Sequence, residues 1–507
     1  MKLLKSFLCG GLSALALSGV CADVTVTPAV TDAALENPGM GLVFYHFANR
    51  LWAYGSELEP GDTLANVPGT TVVYLRVLWK DIEPTEGLYR WDILDSVAQN
   101  WIAKGKKVAF RFICSNQTEN ATPGWVRAAG AKCTDFFYTR GDATAKAWRW
   151  EPVYDDPVFL AKLEAFLMAF AGRYDGDPNV AFVDVGSFGM YGEGHTGYSV
   201  KLSQDEMDRI SKIHVDLHLK CLPKTYLVIS DDISGASNTA PDAKMMKYCR
   251  ERGVGFRDDS IFCFSPKSKF DGWAHDGWAR LFAPTLPVVV ETGHYCGKAV
   301  ETKNREWKYD RLVACAEAYR ASYFSIHGFP DEVIGENAGQ YRELARRVGY
   351  RFVPKSIMYP SEVSPGEPVS VRSTWVNVGV APCHAGAALT WSLTDAKGAV
   401  VWSSTDASFD FKVLEPTIGG VERPQEVTSA CRFGLTQAIA DDCDLILDLA
   451  RARGRARMTV LELLKPGTYA LNVSAGSKQG TPTIALPLEN GVGRRYPVGK
   501  ITVKGGR

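Results

Sequence analysis

Between residues 37 and 350 the chain repeats one alternation, a short apolar and β-branched run followed by a longer segment with helical spacing of its apolar positions. Eight short runs predict strands: "GLVFYHF" (41–47), "TVVYLRVLW" (71–79), "KVAFRFIC" (107–114), "VAFVDVGS" (180–187), "TYLVIS" (225–230), "VGFRDD" (254–259), "LPVVVETGH" (286–294) and "SYFSIHG" (322–328). Helical patterns fall over 91–106, 156–174, 203–220 and 311–322. Strands alternating with helices predict an α/β fold with a parallel sheet. Eight of them predict a (β/α)8 TIM barrel over 23–350, with any active site on the loops after the strands.

Past "VGYRFVPKSIMYP" the period drops to two. The runs "VSVRSTWVNVGVAP", "ALTWSLTDAKGAVVW", "GTYALNVSAG" and "RRYPVGKITVK", separated by turn residues, predict a C-terminal all-β, Ig-like sandwich over 351–507. "EVTSACRFGLTQAIADDCDLILDLARARGRARM" interrupts the pattern and reads as an insertion or a helix. At the other end, "MKLLKSFLCGGLSALALSGVCAD" joins Lys2 and Lys5 to an apolar run shorter than the roughly 20 residues of a membrane span. Residues 1–22 therefore read as a signal peptide cut near Ala22, and the product as a secreted or periplasmic bacterial protein; no later stretch is apolar enough to cross a membrane.

Charge and cysteine content narrow the chemistry. Lys plus Arg and Asp plus Glu are 57 each, a balance that points away from nucleic acid and anionic membranes and toward neutral glycans, an oligo- or polysaccharide. Export permits disulfides, but the cysteines show no CxxC spacing, so a structural zinc site is not expected and no cofactor is implied. His46, Asp232 and His294 lack any short-spaced ligand motif, and no metal is assigned to them.

The predicted strand ends are unusually polar. They carry His46 after strand 1, Arg76 and Trp79 at strand 2, Arg111 and Asn116 at strand 3, Tyr191, Glu193 and His195 after strand 4, and Asp232 after strand 5. Strand 6 ends in Arg257, Asp258 and Asp259, read as a local ion pair; Glu291 and His294 follow strand 7, and His327 follows strand 8. Glu193 and Glu291 each follow an apolar strand on opposite sides of the mouth, so both could face one substrate. Two such carboxyl groups supply what glycoside hydrolysis needs, a proton donor for the leaving oxygen and a nucleophile or base for the anomeric carbon. A structural salt bridge to Arg76 or Arg111 is the competing role. Trp79, Trp125, Tyr191, Trp273 and Trp278 are candidate stacking surfaces for a sugar ring.

The stretch W-x-x-I-E-P-x-E-G-x-Y-x-W-x-x-x-D, Trp79 to Asp95, resembles the strand 2 to strand 3 region of clan A glycoside hydrolases. G-x-x-G-x-x-G-E-x-H, Gly186 to His195, is similar to a β-galactosidase-like barrel family of secreted bacterial proteins catalogued as a domain of unknown function. The resemblance implies a retaining glycoside hydrolase with Glu193 as acid/base and Glu291 as nucleophile. His46, Arg76, Trp79, Arg111, Asn116, Tyr191, His195, Asp232, His294 and His327 are placed around them as substrate-binding residues. One position departs: the clan carries Asn directly before the strand 4 glutamate, and here it is Gly192. A protein that binds glycan without cleaving it, on the same barrel, is the alternative.

Overall fold

The computed structural model describes residues 23–45, 68–139, 147–235, 238, 240, 243–261, 275–292, 311–326, 330–433 and 464–505. Eight strands close into a parallel barrel: β1 (Gly41–Tyr45), β2 (Thr70–Leu78), β3 (Lys107–Ile113), β4 (Val180–Asp184), β5 (Leu227–Ser230), β6 (Gly255–Ile261), β7 (Val289–Thr292) and β8 (Tyr323–Ile326). Each pairs with the next in chain order, and β8 returns to β1 with Tyr323 opposite Gly41. This is the TIM barrel that the alternation predicts.

Side chains alternate across each strand, and the barrel uses both sets. One set, with Val73, Leu75, Val108, Phe110, Val183, Leu227, Phe256, Val290 and Phe324, belongs to a large buried cluster shared with helices such as Trp91–Ala103, Pro157–Tyr174 and Gln204–Cys221. The other set fills the barrel interior with Val43, Val72, Tyr74, Ala109, Phe182, Val228, Val289 and Tyr323. Helix starts follow capping chemistry. Asp156 accepts the amides of Val158 and Phe159 with Pro157 at the first position, and Ser203 forms a reciprocal capping box with Glu206. No described helix is long and apolar enough to cross a membrane.

The residues after 350 form two β-sheets around one buried cluster that includes Trp375, Leu389, Trp391, Leu471 and Ile501. The first strand among the described residues, Asp23–Val26, pairs antiparallel with Phe352–Pro360, so it lies in a C-terminal sheet and not with the barrel that follows it in sequence. Within the stretch read as an insertion or a helix, Gln425–Arg432 is a strand paired with Pro368–Asn377; residues 434–463 lie outside the described residues. The signal-peptide reading of residues 1–22 also falls outside them. Cys114, Cys133, Cys221, Cys249, Cys315, Cys383 and Cys431 are free thiols.

The Trp79 to Asp95 motif explains itself once folded. Trp79 opens the helix Trp79–Ile82 and points into the core, fully buried against Trp125, Phe159 and Phe166. Its indole Nε1 donates to Glu83 at 2.8 Å, and the other Glu83 oxygen accepts the Gly87 amide at 2.8 Å, closing the turn. Trp79 is thus a core residue and not a sugar platform, because the helix start turns it away from the mouth. Trp125, half-buried with its Nε1 on the Glu83 carbonyl, and Trp278, buried with its Nε1 on the Ala240 carbonyl, are held in the same way. Trp79→Ala is expected to cost about 3–5 kcal/mol in urea denaturation, the price of an aromatic-sized cavity; a loss below 1 kcal/mol would contradict the packing.

Candidate active site

At the C-terminal end of the barrel the interior set of side chains turns from apolar to charged. Two residues beyond Tyr74 on β2 is Arg76, two beyond Ala109 on β3 is Arg111, two beyond Phe182 on β4 is Asp184, and two beyond Val289 on β7 is Glu291. Strand register sets Arg76 beside Arg111 and Arg111 beside Asp184. A period of two makes this a second layer over the apolar one. Tyr74 ties the layers together by donating its hydroxyl to Asp184 at 2.6 Å.

Arg257 of β6 is the hub of this layer and is fully buried. Its Nε lies 2.7 Å from Asp184, its Nη2 3.7 Å from Glu193 and its Nη1 3.5 Å from Glu291. Arg111, equally buried, reaches Glu193 at 2.5 Å and Asp184 at 3.4 Å. Of the local ion pair read from Arg257, Asp258 and Asp259, the Asp258 part is corrected here, while the Asp259 side chain lies outside the described residues. Neighbours on a strand point to opposite faces, so Arg257 enters the barrel while Asp258 accepts the hydroxyl of Tyr319 on the helix side. Glu193 also faces His195, whose Nε2 is 3.6 Å from its carboxylate and 3.1 Å from Asp232.

Glu193 reaches this position on a loop folded almost onto itself. Gly192 has φ 74°, and a Cβ there would collide with the Gly186 carbonyl oxygen. A Cβ on Gly186 would in turn lie 2.5 Å from Arg111 Cγ. An asparagine therefore has no room before Glu193, which accounts for the departure from the clan pattern. Tyr191, itself at φ 62°, is pinned by its amide on the Ser115 carbonyl and its hydroxyl on Gln117, with its ring nearly perpendicular to that of His195.

The two carboxyls sit in opposed electrostatic settings. Burial pushes Glu193 up, but the charges of Arg111, Arg257, His195 and Arg76 outweigh it and hold the carboxyl at about 2. Burial dominates at Glu291 and, with the charge of Glu193, raises it to about 7 against Arg257, Arg111 and Arg76. At neutral pH the first is a carboxylate and the second is poised to hold a proton. Burial opposes the His195 imidazolium, yet Asp232 and Glu193 raise its pKa.

The structure thus gathers Arg76, Arg111, Glu193, His195, Asp232 and Glu291 into one charged group. Asn116 is buried, caps the amide of Gln117 and donates to Thr118. His46, His294, His327 and Trp273 lie outside the described residues. Asp184 was not singled out by sequence, although its phase with Phe182 marks it as an inward charge on an otherwise apolar strand. A hairpin on the β3–β4 excursion, Cys133–Tyr138 with Ala147–Pro152, was also missed. Its Tyr138 hydroxyl shares Gln117 with Tyr191, and its other face exposes Phe137 and Trp148.

No family model matches the sequence, and no curated protein does. Solved structures similar to it include an endogalactoceramidase, 14% identical, covering 74% of this chain and 96% of that one at a TM-score of 0.40. Another is endo-glycoceramidase II from Rhodococcus sp., 12% identical, covering 68% and 89% at 0.40. A β-galactosidase from the psychrophilic Marinomonas ef1 is 13% identical and covers 61% and 59% at 0.41. Likeness this distant says nothing of activity.

Two outcomes follow from the site. Gly192→Ala is expected to cost about 2–4 kcal/mol, combining a left-handed backbone with an overpacked contact; denaturant midpoints unchanged from wild type would refute the interlock. Glu291, raised from 4.5 to about 7, keeps a proton in the fold that the unfolded chain has lost, so its contribution to stability is full below pH 4.5 and is lost as pH rises through 7. Glu291→Gln should therefore gain stability relative to wild type between pH 5 and pH 8, measured by urea unfolding at both.

Proposed function

We propose that the protein is a glycoside hydrolase acting on an oligo- or polysaccharide outside the cytoplasm, with Glu193 and Glu291 as its two catalytic carboxyl groups. The observation that carries this reading is the pair itself: two carboxyls from opposite sides of a barrel mouth, bridged by one guanidinium and driven to opposite protonation states. Two ion-pair lengths and the width of a guanidinium keep them within ~10 Å, the range that two-carboxylate glycosidases use. Environments that split two carboxyls also assign their roles.

The charge distribution supports the reverse of the roles implied by resemblance. Glu291 protonates the leaving glycosidic oxygen, and Glu193, ionised throughout, attacks the anomeric carbon to form a glycosyl-enzyme in a retaining mechanism. The Glu291 carboxylate then takes a proton from water, which displaces Glu193 and restores both groups. His195 and Asp232 stand where they can read sugar hydroxyls in place of the absent asparagine, and the Tyr191 ring lies beside them. A second reading rests on the 2.5 Å pair between Arg111 and Glu193: a carboxylate committed to arginine anchors the loop, and the cleft binds glycan without cleaving it.

Glu193→Gln and Glu291→Gln should each lower kcat by about a thousandfold or more on any glycan that the wild type cleaves. kcat/KM should fall about tenfold per pH unit above pH 7 as Glu291 loses its proton. Azide added to Glu193→Ala should give a glycosyl azide of inverted configuration, and azide added to Glu291→Ala one of retained configuration; the opposite pattern restores the roles that the resemblance implies. Retention on a glycan array with no product by mass spectrometry would establish the binding reading instead.

A further inference from the structure

Beside the charged layer, on the β5–β6 side of the mouth, lies a second group of ionisable residues that the proposed reaction does not use. Asp231 is the first residue after β5, Asp258 lies within β6, and His275 immediately precedes the helix Asp276–Phe282. All three are buried, at 2%, 7% and 5% exposure. One donor atom from each lies within 4.8 Å of those from the other two.

The cluster is held in place from outside. The His275 Nδ1 is hydrogen-bonded to Asp231 Oδ2, and its ring stacks on Trp278 at 4.2 Å between centroids and 16° between planes. Asp258 Oδ2 accepts the Tyr319 hydroxyl. Two atoms are left over. Asp231 Oδ1 and His275 Nε2 are buried with no hydrogen-bond partner among the described residues. Polar atoms in the interior are almost always met by a partner, and an unmet one is unfavourable.

We propose that Asp231, Asp258 and His275 bind a divalent transition-metal ion, of the zinc or manganese class. His275 Nδ1 already faces the Asp231 carboxylate, so an ion taken up between them replaces the shared proton, with Asp258 as the third donor. Two carboxylates with one imidazole suit borderline dications better than calcium or magnesium, which take oxygen donors alone. The ion would fasten β5 to β6 directly behind Asp232, which holds His195, and Arg257, which holds both glutamates. This site stands independently of the glycosidase reading.

The test uses the full chain, stripped with EDTA and dialysed, then titrated with ZnCl2 and with MnCl2 by calorimetry while the melting temperature is followed. The expected result is one saturable equivalent and a melting temperature raised by several degrees. Asp258→Asn, which keeps an acceptor for Tyr319, and His275→Gln should weaken binding by at least the roughly 10–100-fold that losing even an outer-shell partner costs. The inference is overturned if the stripped protein takes up no saturable equivalent, or if either variant, folded by circular dichroism, binds as wild type does. X-ray absorption on the wild-type zinc complex decides the matter even where a variant fails to fold. A nitrogen and oxygen shell at about 2.0–2.2 Å supports the site, and a sulfur shell at about 2.3 Å places the ion on cysteine and overturns it.

Discussion

The guanidinium of Arg257 is the interaction on which the mouth of this barrel depends. It is fully buried and shared by Asp184, Glu193 and Glu291, three groups that come from β4, the loop after it and β7. Once charges have been taken out of water, removing one partner strands the others, and losses of about 3–5 kcal/mol are typical. The same fixed fork that holds the loop in place also decides where a proton can reside. Structure and candidate chemistry are therefore set by one side chain, and Arg111 doubles it on the Glu193 side.

That arrangement has a reason in the barrel's own geometry. A closed eight-stranded barrel has an interior just wide enough for side chains to fill it in layers. The lower layer here is apolar, with Tyr74 and Phe182 among its members. One strand period higher, the layer is made of arginines and acids, and the Tyr74 hydroxyl is the contact between the two. Packing thus brings the charges together at the cost of their hydration, and their mutual pairing is what makes the layer tolerable.

Much of this was legible along the chain. The eight strands emerge from apolar runs, and the helix over 156–174 matches Pro157–Tyr174 because proline and a capping aspartate mark its start. Glu193 and Glu291 were visible as lone acids after such runs. What escaped was pairing across space. Arg257 lies next to Asp258 in sequence, yet strand alternation sends them to opposite sides, and its partners Asp184, Glu193 and Glu291 are 73, 64 and 34 positions away. Trp79 looked like a platform because it ends a strand, whereas the single helical turn that follows rotates it into the core. The absent asparagine was noticed as a departure, but its cause, a carbonyl oxygen where a Cβ would sit, belongs to the folded loop.

The strand Asp23–Val26 has a consequence for how the molecule is made. Its partner, Phe352–Pro360, leaves the ribosome only after the entire barrel has been synthesised, and Asn37 waits longer still for Ala485, 448 positions on. At roughly 5–20 residues per second the early strand stays unpaired for on the order of tens of seconds. Four residues with alternating exposure offer little edge for a wrong partner during that interval. Asp23–Val26 and Asn37 thus act as a late clasp, closing the C-terminal sheets only once the barrel between them exists.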